Sequence, residues 1–171
     1  MAIIVDANCL TRVFDPTNSE HDEFEPVLNW IVKGKGKLIY GGSTYLKELS
    51  KLTKIHKIIN ILKNTRKKVE IIDLQDVDTE EKRIKAIIPD KDFDDPHIAA
   101  IVSVSKCRLL CTQDTRSEKY ILNKEIYPKD VKPPKFYKGK HNAKILCDTN
   151  IPQKYKPLKK LNKLEREKII E

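Results

Sequence analysis

Residues 2–8 read AIIVDAN, in which four apolar residues lead directly to Asp6. A short, unbroken apolar run is typical of a strand whose two faces are both covered, as in a parallel sheet between helices. Ligands of such sheets bind beyond the carboxyl ends of the strands. The sequence therefore places Asp6 where a ligand site is expected.

Strand-like and helix-like segments alternate along the chain beyond Asp6. Apolar runs that predict further strands lie at residues 37–40, 69–72, 108–112 and 145–147. Helices are predicted near residues 9–14, 23–32, 79–88, 97–105 and 117–124. This alternation predicts an α/β fold in three layers, α/β/α, with a mainly parallel sheet and helices on both faces.

One longer helix is predicted between the second and third strands. Its apolar residues recur at three- and four-residue spacing as far as about residue 64. Ser43 or Thr44 is expected to cap its start, because a side-chain hydroxyl at that position can accept from the first free backbone N–H groups.

The length of 171 residues suits one compact domain with its own core and is too short for two ordinary ones. We expect a domain at residues 1–150 and a basic C-terminal tail or helix at residues 151–171. Four apolar residues near or within this tail recur at helical spacing: Leu158, Leu161, Leu164 and Ile169. The tail is therefore an RNA-binding arm, a partner-binding helix or a solvated terminal helix.

The net charge of +9 is concentrated towards the C-terminus. Residues 129–171 contain thirteen Lys or Arg and five acids. A basic segment attracts phosphate backbones and releases their counterions on binding, which favours nucleic acid as the partner. A requirement for solubility alone is the alternative explanation.

The sequence also bears on the compartment. No run is long and apolar enough to span a membrane, and residues 1–9 lack the basic start and cleavage site of a signal peptide. We therefore expect a cytoplasmic protein with no membrane association. The four dispersed cysteines form no Cys-x-x-Cys pair, so reduced thiols are expected rather than disulfides or a zinc site.

Four acids stand at the boundaries of apolar elements: Asp6, Glu48, Asp95 and Asp114. At such a boundary a side chain can point into a cleft while its neighbours stay buried. Hard ions such as Mg²⁺ and Mn²⁺ prefer carboxylate oxygens, and no cluster of His or Cys that would suit zinc accompanies them. His97 is the one histidine near these acids, with either a phosphate contact or a structural or surface role.

Four segments, in order along the chain, resemble the metal-site motifs of the PIN-domain family. IIVDAN at residues 3–8 is similar to the family's first strand with its metal-binding Asp, and YLKEL at residues 45–49 to the helix that carries the next acid. DDPHIAA at residues 94–100 resembles the segment in which an Asp precedes an Ala-rich helix. CTQD at residues 111–114 resembles the Thr-x-Asp that supplies the last acid. The match covers about residues 1–127.

One departure from the family pattern concerns the third acid. Pro96 and His97 follow it, whereas the family has a smaller residue and then Leu. Either Asp94 or Asp95 therefore faces the metal. We favour Asp95, because it directly precedes the helix, and the dipole of a helix N-terminus stabilises a carboxylate.

The resemblance implies a Rossmann-like sheet in the order 3-2-1-4-5 and a metal-dependent endoribonuclease. The implied catalytic residues and metal ligands are Asp6, Glu48, Asp95 and Asp114. They would hold one or two Mg²⁺ or Mn²⁺ ions, which activate water and offset charge at a scissile phosphate. RNA as the substrate follows from the resemblance and not from composition.

Further residues are expected to bind or position the substrate. They are Asn8, Lys47, Lys51, Thr112 and Arg116. Asn8 either hydrogen-bonds Asp6 or a phosphate, or it caps a helix. Thr112 is expected to orient Asp114.

Single-stranded RNA fits a cleft of this kind better than a duplex, because its unstacked bases can stack on aromatic side chains. Three tyrosines near the acids either do this or pack in the core: Tyr40, Tyr45 and Tyr120. In the second half of the chain, ILCDTN at residues 145–150 repeats the strand-Asp-x-Asn pattern. It either ends a last strand in a turn or brings Asp148 to the cleft.

Several functions and settings stay open. The nuclease is either the toxin of a toxin–antitoxin pair, with an antitoxin as protein partner, or an RNA-processing factor, and a homodimer is plausible by analogy. The alternative is a catalytically inactive PIN-like scaffold that binds RNA or protein. A receiver-like phosphoacceptor module ranks third, because it needs paired acids after the first strand, where Asp6 stands alone.

Overall fold

Five parallel strands form the sheet of the computed structural model, which describes residues 2–64, 68–147 and 161–170. The strands are β1 (Ala2–Val5), β2 (Lys37–Gly41), β3 (Val69–Ile72), β4 (Leu109–Cys111) and β5 (Lys135–Tyr137). Their order is β3-β2-β1-β4-β5, and all four pairings are parallel. The predicted α/β fold is confirmed, and the strand order is the one that the resemblance implied.

β1 is the central strand, and all of its residues are fully buried. It pairs with β2 in a register that places Ala2 opposite Lys37, and with β4 in a register that places Val5 opposite Cys111. The chain runs from β1 to β2 on one side and reaches β4 on the other side only later. The strand order therefore reverses at the carboxyl end of β1, which is where open α/β sheets form their binding crevice.

Helices cover both faces of the sheet and complete the three layers. In the described residues they are α1 (Ala7–Phe14), α2 (His21–Val32), α3 (Ser43–Ser50), α4 (Thr53–Asn64), α5 (Leu74–Ile87), α6 (Pro96–Ser105), α7 (Thr115–Ile121) and α8 (Lys163–Ile170). Two short 3₁₀ segments lie at Lys124–Ile126 and Lys140–Ile145. α6 has nine of its ten residues buried, because it packs between α5 and strands β1, β2 and β3.

The prediction of one long helix from residue 43 or 44 to residue 64 was wrong, because the chain breaks there into α3 and α4. At the break, the Ser50 hydroxyl donates to the Lys47 carbonyl at 2.7 Å, and the Leu52 N–H bonds back three residues instead of four. Such side-chain bonds to the helix backbone compete with the helical pattern. The apolar stripe continues across the break, so its period alone did not reveal it.

Three other boundaries differ from the prediction. α3 is preceded by Gly42 as its N-cap, so neither Ser43 nor Thr44 has that role. α5 begins at Leu74, earlier than residue 79, because the Asp73 carboxylate accepts from two backbone N–H groups of its first turn. Residues 145–147 are not a strand: the Leu146 and Cys147 N–H groups bond to carbonyls two or three residues back, and β5 is the last strand among the described residues.

Gly42 sets the start of α3 and should not tolerate a side chain. Its φ of 82° lies in the left-handed region, and an added Cβ would come within 2.5 Å of Val77 Cγ1. We expect Gly42→Ala to lower the free energy of unfolding by about 2 kcal/mol, through backbone strain and overpacking. Urea unfolding would measure this, with Lys51→Ala at the exposed end of α3 as the control. Equal stability of wild type and Gly42→Ala would contradict the strain.

The C-terminal helix α8 packs against α4. Leu161 and Ile169 are buried, whereas Leu164 is 71% exposed. Within the described part of the tail, α8 thus packs partly into the core and is not a fully solvated helix, while Leu158 and Asp148 lie outside the described residues. No helix within the described parts of the chain is long and apolar enough to cross a membrane.

Candidate active site

Two acids of the candidate site, Asp6 and Asp114, follow adjacent strands. Asp6 comes directly after β1, and its backbone N–H donates to the Cys111 carbonyl at 2.9 Å, which extends the pairing of β1 with β4. Asp114 lies three residues beyond the end of β4. Each acid is also the N-cap of the helix that follows: the Asp6 carboxylate accepts from the Asn8 N–H, and the Asp114 carboxylate accepts from the Arg116 N–H. Parallel pairing therefore brings both to one edge of the sheet.

Thr112 links these two acids. Its hydroxyl donates to Asp6 Oδ2 at 2.8 Å and accepts from the backbone N–H of Asp114 at 3.1 Å. The sequence prediction paired the Thr112 side chain with Asp114, but its hydroxyl orients the Asp6 carboxylate and meets only the backbone of Asp114. Asn8 has an exposed side chain, and the N-cap of α1 is Asp6, so the alternative of Asn8 as the cap was wrong.

Thr112→Val should separate the hydroxyl from the shape of the side chain. The change removes the hydrogen bond that lowers the pKa of Asp6 and leaves the Asp114 N–H without its partner. We expect a loss of about 1–2 kcal/mol in the free energy of unfolding. Urea unfolding measures this loss, and Thr112→Ser, which keeps the hydroxyl, should behave as wild type. Equal behaviour of the Val and Ser variants would remove this role of Thr112.

Asp95 is the acid whose electrostatic state is most altered. It precedes α6, is 9% exposed and makes no side-chain cap to its own helix. Burial, with the charge of Asp6 as the next cause, raises its pKa to about 6, against the lowering effects of His97 and Ser117. Burial also raises the pKa of Asp6, partly offset by its hydrogen bond from Thr112.

Asp94 occupies a different environment from Asp95. Its side chain is 48% exposed, and Arg116 forms an ion pair with it at 2.8 Å. Asp95, in contrast, interacts with the charges of Asp6 and Asp114. Of the two candidates for the third acid, Asp95 is therefore the one that faces the cluster.

Asp114 and Arg116 form the solvent-facing part of the site. The Asp114 carboxylate accepts from the Arg116 backbone N–H at 2.8 Å and lies 3.5 Å from its guanidinium. Burial alone would raise the pKa of Asp114, but the hydrogen bonds and charge of Arg116 outweigh it and lower that pKa. The guanidinium bridges Asp114 and Asp94, and the Arg116 side chain is 69% exposed.

Glu48 is accompanied by a buried histidine. His97 Nε2 lies 3.3 Å from Glu48 Oε2, within ion-pair distance, but the groups are not aligned as a hydrogen bond and the nitrogen has no other partner. Burial on its own would lower the pKa of His97, but the interaction with Glu48 outweighs it and raises that pKa. A surface role for His97 was therefore wrong. In the sequence, the burial of His97 was indicated by the position of its polar ring in the first turn of an otherwise mainly apolar helix.

Tyr45 ties the helix that carries Glu48 to the end of β1. Its hydroxyl donates to the Val5 carbonyl at 2.6 Å, and its ring stacks on Tyr40 with centroids 5.4 Å apart. Tyr120 is 8% exposed and stacks on Phe93. All three tyrosines are thus packing residues, and none of them presents a free face for a base.

The predicted basic residues lie at the rim. Lys47 and Lys51 are exposed near the end of α3, and neither forms an ion pair within the described residues. Arg116 lies beside a cavity of about 350 Å³, which Lys119 and Asp92 also line. The positive groups that could contact phosphates therefore stand on two sides of the acids, on α3 and α7.

The acids do not form a ready-made metal cluster. Within residues 2–64, 68–147 and 161–170, no group of three or more His, Cys, Asp or Glu side chains is arranged to hold a metal ion. Two of the four acids have partners of their own, since Arg116 lies beside Asp114 and His97 beside Glu48. The donor chemistry nevertheless fits a hard divalent cation, since Asp6 and Asp95 are two buried carboxylates with raised pKa values, offer only oxygen ligands, and are close enough for the charge of Asp6 to contribute to the raised pKa of Asp95.

Comparisons with known proteins add nothing to the assignment: no family model, no curated protein and no solved structure matches the chain.

Proposed function

We propose that this chain is a PIN-domain endoribonuclease that hydrolyses RNA with Mg²⁺ or Mn²⁺. The observation that carries the proposal is the pair of buried carboxylates, Asp6 and Asp95, at the carboxyl edge of the central strand. Asp114 and Glu48 adjoin this pair. Two buried anions beside each other are costly unless a cation compensates them, so this pair of carboxylates supports a cation site.

The four acids would hold the ion at different depths of the site. Asp6 and Asp95 would hold the ion most deeply, while Asp114 and Glu48 would complete its ligands from the rim. When bound, a divalent cation polarises the scissile phosphate and lowers the pKa of the attacking water. Thr112 would keep the Asp6 carboxylate oriented, and His97 would keep Glu48 directed towards the cluster. No covalent nucleophile is required.

The substrate would enter between the basic residues on the two sides of the acids. Lys47 and Lys51 would contact phosphates on one side and Arg116 on the other, with the exposed Asn8 side chain near the cleft. Base stacking on tyrosine is not part of this proposal, because Tyr40, Tyr45 and Tyr120 are packed. Recognition would therefore rest mainly on the RNA backbone, which predicts weak sequence preference and strong dependence on salt.

The biological setting follows the same proposal. We place the enzyme in the cytoplasm, either as the toxin of a toxin–antitoxin pair with an antitoxin partner or as an RNA-processing factor, and a homodimer is compatible with both. These alternatives differ in the partner of the enzyme and not in the reaction that it catalyses. Each requires the same acid cluster.

A second candidate function is a PIN-like scaffold that binds RNA or protein without cutting. The observation that favours it is that two of the four acids lie beside cationic or histidine partners, whereas Asp6 and Asp95 form no ion pair within the described residues. In this case Arg116 would remain on Asp114 when RNA binds, and a divalent ion would have no effect on the chain.

The two candidates differ in one assay. Labelled single-stranded RNA is incubated with the full chain in Mn²⁺, Mg²⁺ or EDTA, beside Asp6→Asn and beside Asp22→Asn, an exposed acid of α2. The nuclease proposal expects cutting in Mn²⁺ or Mg²⁺ by wild type and Asp22→Asn, and none in EDTA or by Asp6→Asn. If wild type binds varied RNAs but cuts none of them in either ion, the scaffold function replaces the nuclease proposal.

A further inference from the structure

A second concave surface lies on the opposite edge of the sheet from the acids. It is a cavity of about 640 Å³ between the end of α7 and the loop that leads into β5. Because β5 is parallel to β1, the start of β5 lies at the amino edge of the sheet, whereas Asp6 lies at the carboxyl edge. The cavity is therefore separate from the candidate active site.

The walls of the cavity are apolar. Leu122, Tyr127, Val131 and a run of prolines form them. Leu122 is 47% exposed, which makes it one of the most exposed large apolar side chains among the described residues. An exposed apolar concavity next to polar surface is typical of a site that receives an apolar side chain from a partner.

The rim of the same cavity is positive. Lys124, Lys129 and Lys132 line it, all three are exposed, and none of the lining residues is acidic. None of the three lysines forms an ion pair within the described parts of the chain, whereas the neighbouring acid Asp130 is already paired with Lys106. Three uncompensated positive charges around an apolar centre are complementary to acids that flank an apolar side chain.

We propose that this cavity, the Lys-rimmed cavity, binds an acidic peptide segment of a partner protein, with one apolar side chain inserted and carboxylates on the three lysines. Single-stranded RNA fits the apolar centre less well than an apolar side chain does, because a base inserted there would find no exposed aromatic or Arg plane to stack on. Tyr127 offers none: it is buried, and its hydroxyl donates to the Ile121 carbonyl. The proposal does not depend on nuclease activity.

Fluorescence anisotropy with defined peptides tests the proposal. The probes are labelled octapeptides with a central Leu, Phe or Trp between Glu and Asp residues, each matched by a peptide with Ser at the centre. We expect at least one apolar peptide to bind wild type with micromolar affinity and to bind roughly ten-fold more tightly than its Ser counterpart.

Two variants of the chain locate the site, each with a matched control. Leu122→Ser and the double change Lys129→Glu with Lys132→Glu should each weaken peptide binding roughly ten-fold. Leu164→Ser, at another exposed leucine, and Lys57→Glu with Lys63→Glu, on exposed positions of α4, should stay within about two-fold of wild type. Circular dichroism of each variant checks that the fold is kept.

Three outcomes would overturn the proposal. The first is that no peptide of the set binds below about 1 mM. The second is equal affinity of the apolar and Ser peptides, or equal losses in the cavity and α4 variants, because binding would then depend only on general surface charge. The third is displacement of the peptide by a twelve-nucleotide single-stranded RNA whose own binding is lost in the cavity variants. That result would make this face a nucleic-acid surface.

Discussion

Asp6→Asn is expected to slow metal-dependent RNA cleavage by roughly a hundred-fold or more, while the fold is retained. Asn has the same shape as Asp and keeps one oxygen, so it can retain one of the two hydrogen bonds, which Asp6 accepts at Oδ1 from the Asn8 N–H and at Oδ2 from Thr112. The charge that would hold the cation beside Asp95 is removed. Cleavage therefore falls because of lost charge and not because of lost structure.

This loss should be measured as an initial rate at saturating Mn²⁺ on a single labelled RNA. Asp22→Asn, which removes an exposed charge from α2, is the control for net charge and for a copurifying nuclease. A binding measurement with the same RNA in EDTA should give similar affinity for wild type and Asp6→Asn. Cleavage by Asp6→Asn at the wild-type rate would show that Asp6 has no part in the reaction and would contradict the proposed centre.

Asp95→Asn is expected to make the metal-free protein more stable and to abolish its response to metal. A carboxyl whose pKa is raised from 3.8 to about 6 disfavours the ionised folded state by about 3 kcal/mol, and partial access of solvent to the cleft reduces this to about 2 kcal/mol. The penalty is absent below pH 3.8, grows as the pH rises to about 6 and is complete above it. Asn at this position cannot ionise and avoids the penalty.

The measurement is thermal unfolding in EDTA between pH 4 and pH 7.5. At pH 7.5 the Asp95→Asn protein should melt about 6 °C above wild type, and near pH 4 the difference should vanish. Asp94→Asn, which changes the exposed neighbour, should follow wild type throughout. If Asp94→Asn and Asp95→Asn shift the melting temperature equally, the distinction between these two acids fails.

Metal addition at pH 7.5 completes this test. A cation bound only by the folded state should stabilise wild type by about 2–3 kcal/mol at a hundred-fold excess over its dissociation constant. The Asp95→Asn protein should gain little, because one of the two buried ligands proposed for the ion would be neutral. A metal response of equal size in both proteins would place the ion elsewhere, whatever the outcome of the cleavage assay.

The fold could be predicted from the sequence because its decisive signals are local. The apolar run that leads to Asp6 is buried on both faces, and burial of a whole strand leaves only the centre of a parallel sheet for it. The helix break after Ser50 could not be predicted, since it depends on a side-chain bond to the backbone within an unbroken apolar stripe. Gly42 as the cap could not be predicted either, since Val77, which leaves no room for a side chain there, is remote in sequence.

The acids of the candidate site could be picked out from the sequence, but the residues that they contact could not. Asp6, Asp95 and Asp114 each stand at the end or start of an apolar element, which the sequence displays. The pairing of His97 with Glu48 joins residues from two different helices, and no spacing along the chain indicates it. The same holds for Thr112, whose hydroxyl reaches Asp6 across 106 positions of sequence.

The central position of β1 also orders events during synthesis. β1 precedes the other four strands of the sheet along the chain and has partners on both sides, and its second partner, β4, is completed only at Cys111. Until then one edge of this fully apolar strand has no partner, as in other proteins whose contacts join distant residues. Because Thr112 can link Asp6 to the Asp114 backbone only after that pairing, an unfinished chain cannot assemble the acids. The proposed RNA-cutting centre therefore cannot form until the chain has been translated as far as Asp114.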